Sequence, residues 1–355
     1  MPAGARPRAP ALGALAGGRR HLQDLPAPGR GRVGAPGGEV PAHGVHRRQT
    51  AGRRGGVRGE GGRCGGEPVG RGLLQGADRP VNFAKLHGAG NDFLLFDGRD
   101  EPALADELPP RVPGLCHRRF GLGADGALLV LPTGPASARV AYWNGDGSEA
   151  AFCANGTRCA ARFIAARWGW REMVLATGYA SIAAAVRGEQ VTLLLPAAGE
   201  VRPWQEFALG DAAARGRYLV VGVPHLIVRV SWPDFWRRDL APLAPALRRH
   251  PDLPAGGANV SFLQVEGERN LGVRSWERGV EGETLSCGSG DVAAAAVAVA
   301  EGWVEPPVEV RTASERVLTV EPQGPPLASP LRLSGPAEWV AEGTVRPELL
   351  TGRPS

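Results

Sequence analysis

Residues 142–164 read YWNGDGSEAAFCANGTRCAARFI, and residues 275–300 read SWERGVEGETLSCGSGDVAAAAVAVA. Each stretch opens on a tryptophan at a predicted strand end, Trp143 or Trp276. Each crosses a loop of glycine and acid to reach a cysteine, Cys153 or Cys287. Each then passes through Asn or Ser and a Gly into an alanine-rich run that reads as a helix. The cysteines lie 134 residues apart, too far for stacked short repeats, so one unit is used twice. Each cysteine falls where a helix begins, at the positive end of its dipole, where a thiolate is favoured. Two activatable thiols in matched settings predict two halves of one site that face each other.

Outward from these units, residues 81–98 (VNFAKLHGAGNDFLLFDG) read as strand, glycine-rich turn, strand. Asn91 and Asp92 sit at that turn, where both residue types commonly bond their own backbone. GLGADG, residues 121–126, has the letters of a dinucleotide fingerprint, but an apolar run follows it instead of a helix, so a loop entering a strand is the better assignment. Residues 174–195 read as two or more strands, and the Pro- and Ala-rich stretch 196–217 as the crossover between domains. Residues 217–230 form a β run broken at Val223-Pro224-His225, where a bulge or strand end is expected. His225 has no assignment beyond a core or surface histidine at this level. Further strands are read at 258–265, 272–276, 308–320 and around Leu331, with 338–345 closing the fold.

The 355 residues, 43% hydrophobic and 22% charged, suit a soluble globular protein with two domains. No run approaches the ~18 consecutive apolar residues of a membrane span. The net charge of +5 is misleading, because residues 1–80 hold 14 Arg against 5 acids while the remainder is acidic. The core therefore offers no electrostatic footprint for nucleic acid, and no membrane partner is expected. Residues 1–80 lack hydrophobic periodicity and read as a disordered or non-native Arg/Gly/Pro-rich extension, with organised sequence beginning at Val81. The five cysteines form no CxxC pair, which argues against a disulfide scaffold or zinc ribbon and places the chain in the reducing cytoplasm. Cys159 reads as a small core hydrophobe. Cys153, Cys159 and His225 have no metal-ligand spacing, and neither metal nor cofactor is expected.

Opposed helix starts define a chemistry. A small carboxylate between them meets unpaired backbone N–H groups and two dipole ends. A thiol on either side can take a proton from one face of an α-carbon and return one to the other. Inversion needs two such groups, since a single base returns the proton to the face it came from. Charge developing on the carboxylate is stabilised more in the transition state than before it.

LHGAGNDF, WNGDGSEAAFCANGTRCAARF, VPH, ANVSF and WERGVEGETLSCGSG resemble, in order and spacing, the motifs of the diaminopimelate epimerase family. The resemblance runs from about Val81 to the C-terminus. It implies an α/β (α+β) fold of two pseudo-symmetric domains, each a curled mixed sheet around a central helix, with the site in the interdomain cleft. The boundaries are then 81–200, completed by 338–350, and 201–337. It implies a cofactor-independent isomerase that interconverts LL- and meso-diaminopimelate for lysine and peptidoglycan precursor synthesis, and a homodimer in many members. Cys153 and Cys287 become the acid–base pair, supported by His225 near Cys153 and Glu277 near Cys287. Asn155 and the N–H groups of Ala154, Gly288 and Ser289 would hold the reacting carboxylate. Asn91, Asn144, Asn259 and Arg278 would recognise the distal end of a small amino-acid substrate, with Arg278 gripping a carboxylate. The chain departs from the pattern at Gly126, where many members carry Gln, at Val223, where most carry a small polar residue, and at Ala154 in place of Gly. Alternatives on the same scaffold are a racemase or epimerase of proline, hydroxyproline or histidine, and a non-catalytic amino-acid-binding relative; thiols on both faces argue against the last.

Overall fold

A computed structural model describes residues 80–99, 101–209 and 212–346, together with the backbone of Arg20–His21. All of these fall in one compact unit. The predicted extension lies outside the described residues, apart from Pro80 and from Arg20–His21, which pairs in parallel with Ala212 and Ala213. Among the described residues no helix is long and apolar enough to cross a membrane.

The strands form one continuous curled sheet that does not close on itself. Its first half runs, in spatial order, through Glu338–Val345, Val81–Gly88, Asn91–Asp97, Gly126–Gly134, Ser137–Asn144, Glu172–Ala176, Ser181–Arg187 and Gln190–Leu195. Its second half runs through Val201–Leu209, Ala212–Val221, Val223–Arg229, Asn259–Val265, Asn270–Glu277, Val308–Arg311, Val317–Pro322 and Leu331–Pro336. Strand directions match place for place. Both halves have one parallel pair after the first hairpin and a second where the chain leaves the sheet to form a long helix. The halves meet where Gln190–Leu195 pairs antiparallel with Leu331–Pro336, Leu193 opposite Leu333.

Each half curls around one of the helices, Ala154–Trp168 and Gly288–Ala300. The first is stopped by Gly169 in the left-handed conformation at φ 77°, which costs glycine little. The second is buried from Gly288 to Ala298. Beyond Asp291 this helix is apolar on every side, as a core helix is, and its Ala and Val side chains are small enough for the sheet to close around it. One buried cluster joins Ile164 and Val297 of the two helices to Leu193 and Leu333 at the joint.

One local expectation is corrected, and the strand end expected near 223–225 is refined. The stretch read as a crossover, 196–217, contains the strand Val201–Leu209, which forms the outer edge of the second half. Pro203 masks it in the sequence, yet an edge strand tolerates a proline because one side of it has no ladder to complete. The break at 223–225 is a hairpin: Val221 pairs with Val223 around Gly222 at φ 71°. A Cβ on Gly222 would meet the Phe152 ring at 2.5 Å, so both conformation and space demand glycine there.

Candidate active site

The two helix starts touch. Asn155 Nδ2 donates to the main-chain carbonyl of Ser286 at 3.0 Å. A Cβ on Gly288 would lie 2.6 Å from Asn155 Oδ1 and 3.0 Å from the Ala154 Cβ. Cys153 and Cys287 are the N-cap residues of these helices, both with extended backbone, so each thiol is carried within two residues of the contact. All four described cysteines are free. The Cys153 sulfur accepts from Gly156 N–H at 3.4 Å and lies 3.6 Å from Asn91 Oδ1. The Cys287 sulfur lies 3.7 Å from Ser289 Oγ and 3.9 Å from Asn259 Nδ2.

The first-turn N–H groups of each helix do favour the thiolate, as the sequence implies, but burial outweighs them at both cysteines. Burial pushes Cys153 up to about 11; the Gly156 N–H opposes it, the Glu277 carboxylate adds to it, and the Asn155 N–H and Arg158 pull down. Burial likewise carries Cys287 well above the thiol range, with Glu277 and Asp291 adding to it and the Gly290 N–H and Ser289 opposing. A helix terminus offers about half an elementary charge, whereas desolvation acts on the whole charge of a thiolate. Once formed, each thiolate is a correspondingly stronger base.

His225 is fully buried, and its Nε2 lies 3.1 Å from Ser289 Oγ. Its hydrogen bond is thus to the helix of Cys287, whereas the resemblance implies Cys153 as its neighbour. Burial holds the imidazole neutral, pushed down to about 3, with the Val221 backbone opposing and Arg278 adding. Glu277 accepts from the hydroxyl of Thr284. Burial raises its carboxyl, opposed by bonds from Thr284 and from the Cys287 thiol. Asn259 accepts from Arg278 N–H at 2.7 Å and turns its Nδ2 to the Cys287 sulfur at 3.9 Å. The Arg278 guanidinium makes no ion pair among the described residues. Asn144 is engaged by the Tyr142 hydroxyl at 2.9 Å and by Ser148 at 3.0 Å. At Gly126 a Cβ would lie 2.6 Å from the Trp143 carbonyl and 2.8 Å from the Tyr142 ring, so packing leaves no space for a larger residue. A cavity of about 540 Å³ lies away from both thiols, lined by Val81, Asp97, Arg99, Arg167 and Glu342. Its cations are already paired, Arg99 with Asp97 and Arg167 with Glu342.

Sequence reasoning passed over three residues. Asp125 accepts from Asn91 Nδ2 at 2.8 Å, turning Asn91 Oδ1 towards Cys153, and is itself held by Arg118 at 2.6 Å. Arg158 and Asp291 are buried charges on the two helices. The available signal was the lone acid in each of two runs of small residues, GLGADG and GSGDVAAAAVAVA, whereas Arg158 is one of three arginines in its helix.

Two curled half-sheets, each enclosing a helix capped by cysteine, place the chain in a fold class that contains amino-acid racemases. A solved structure of a probable proline racemase from Agrobacterium radiobacter superposes with TM-score 0.58 at 16% identity, over 75% of this chain and 92% of that one. At that identity the likeness is one of fold. Sequence comparison is more specific. The profile of the diaminopimelate epimerase family matches residues 83–189 and 217–339. A diaminopimelate epimerase from Gemmatimonas aurantiaca is 37% identical over 70% of this chain and 90% of its own length. One from Archaeoglobus fulgidus is 39% identical over 65% of this chain and 86% of its own. The chain belongs to the diaminopimelate epimerase family.

Proposed function

We propose that this protein interconverts LL- and meso-2,6-diaminopimelate by two-thiol proton transfer, in lysine and peptidoglycan precursor synthesis. The observation that carries the reading is the contact of two cysteine-capped helix starts, Asn155 against Gly288. The substrate's α-carboxylate is received by the first-turn N–H groups of both helices. One cysteine, as thiolate, takes the α-proton; the C–H bond breaks, an S–H bond forms, and the electron pair moves into the carboxylate. The opposite thiol gives its proton to the other face of the carbon. The sulfurs finish with their protonation exchanged, ready for the reverse turnover. Raised thiols cost thiolate population but strengthen the base, and a general base of this kind contributes about 10²–10⁴-fold.

The Arg278 guanidinium, with no ion pair among the described residues, favours a substrate with a second carboxylate over proline, hydroxyproline or histidine. Asn91, Asn144 and Asn259 complete the binding set, and Asn259 also contacts the Cys287 thiol. A cytoplasmic homodimer is part of the same reading; sedimentation equilibrium showing only monomer would remove it. The deciding experiment is solvent-deuterium exchange at the α-carbon of LL-diaminopimelate, run beside proline and histidine. Exchange with epimerisation is expected for diaminopimelate alone. Cys153→Ala and Cys287→Ala should each stop epimerisation, and substantial activity in either would remove the mechanism.

A further inference from the structure

Three glycines from separate elements surround one side chain. Cβ atoms on Gly88, Gly288 and Gly335 would lie 3.2, 3.4 and 3.6 Å from Nη2, Nη1 and Nε of Arg158. Arg158 is fully buried. Its Nη2 donates to Asn155 Oδ1 at 2.8 Å, while Nε and Nη1 have no hydrogen-bond partner among the described residues. A guanidinium so placed is costly to bury, and it stands beside two helix starts that already carry positive partial charge. The opposite charge is supplied from the other helix. Asp291 is 1% exposed and accepts from Ser286 Oγ at 3.0 Å.

Between them runs a continuous relay: Arg158 Nη2 to Asn155 Oδ1, Asn155 Nδ2 to the Ser286 carbonyl, Ser286 Oγ to Asp291 Oδ2. It crosses from one half of the sheet to the other beneath the capping cysteines. Arg158 follows Cys153, and Asp291 follows Cys287, by little more than one helical turn.

We propose that Arg158 and Asp291 are positioning residues that make the two thiols unequal, the guanidinium favouring the thiolate at Cys153 and the carboxylate favouring the thiol at Cys287. The proposal rests on the two-thiol reading above. It gives the resting enzyme a preferred orientation of its proton pair, and hence a preferred first substrate stereoisomer. Other groups also act on the sulfurs, and Glu277 is hydrogen-bonded to the Cys287 thiol. Glu277 acts on both thiols in the same direction. Asn91 turns an acceptor, Oδ1, to the Cys153 sulfur and Asn259 a donor, Nδ2, to the Cys287 sulfur, so this neutral pair opposes the bias by a pH-independent amount, while the Gly156 and Asn155 N–H groups at Cys153 are matched by Ser289 and the Gly290 N–H at Cys287. His225 is held neutral by its burial. Asp291 faces Ser286, Arg158 and Glu277, and burial raises its carboxyl to about 7.

The test is alkylation of the intact enzyme with iodoacetamide, quantified separately for the Cys153 and Cys287 peptides by mass spectrometry. Asp291→Asn keeps the shape of the relay and removes its negative charge. The ratio of Cys287 to Cys153 labelling should rise about tenfold, the equivalent of one pKa unit. Arg158→Gln should raise the same ratio by slowing Cys153. In the unaltered protein the ratio should fall as pH rises through about 7, where Asp291 ionises. A ratio unmoved in folded Asp291→Asn overturns the proposal. If that variant does not fold, a pH-independent ratio in the unaltered protein overturns it instead. Epimerisation persisting in Cys153→Ala or Cys287→Ala is a separate result and removes the two-thiol reading itself.

Discussion

The amide of Asn155 hydrogen-bonds the carbonyl of Ser286 at 3.0 Å across 131 residues of sequence. Asn155 lies two residues after one cysteine and Ser286 one residue before the other, so this bond sets the register of the two thiols. The Asn155 side chain is already engaged by Ser286 and Arg158. Holding the helix starts together is therefore its structural work, beside the contact with substrate implied by the family. Asn155→Ala leaves a buried carbonyl and a buried guanidinium without partners. Each such loss costs about 1–3 kcal/mol, and a urea titration should show the midpoint fall accordingly.

Gly288 is where the helices come closest. Gly288→Ala would drive a methyl to 2.6 Å from Asn155 Oδ1 and force the helix starts apart. Displacements on the order of 1 Å at a reacting centre cost about 10²-fold in rate, and overpacking costs about 1–3 kcal/mol. Gly156→Ala is the control, since its methyl meets Phe93 and Leu128 at 3.4 and 3.5 Å, ordinary contact distances. Thermal melts should show Gly156→Ala unchanged or slightly stabilised and Gly288→Ala destabilised; equal losses in both would contradict the packing argument.

Asp125 acts through Asn91. Asp125→Ala frees the Asn91 amide that now presents Oδ1 to the Cys153 sulfur. A drop in kcat/KM of about tenfold, or about 1.4 kcal/mol, is expected. Combined with Asn91→Ala it should add little, because residues acting as a unit are not additive.

Asp291 makes stability depend on pH with a definite sign. Burial raises its carboxyl from 3.8 to about 7, so the folded state binds the proton more tightly than the unfolded chain. The contribution is fully present below about pH 4 and is lost as pH rises through about 7, a ceiling of about 4 kcal/mol. His225 has the opposite sign: burial lowers it from 6.5 to about 3, so its contribution holds above about pH 6.5 and fades as pH falls towards 3. Subtracting the Asp291→Asn curve from that of the unaltered protein isolates the carboxylate. The variant should be the less pH-sensitive of the two between about pH 4 and 7, as measured by denaturant midpoints.

Much of the molecule is legible locally. The repeated unit, the start of each long helix at Cys153 and Cys287, and the strands on either side follow from alternation, capping and turn residues. The strand at Val201–Leu209 is hidden by Pro203, because whether a proline is tolerated depends on whether the strand lies at an edge. The hairpin at Gly222 is hidden for a related reason: its glycine is fixed by the Phe152 ring of the other half.

Chain order and residue type were sufficient to indicate two thiols, two helix starts and a common chemistry, since dipoles, caps and amphipathic periods act over a few residues. The burial of those thiols, the tie from Asn155 to Ser286 and the placing of Arg158 and Asp291 on facing helices were settled by packing. Desolvation depends on what surrounds a group in space, and the partners here are separated by more than a hundred residues of chain.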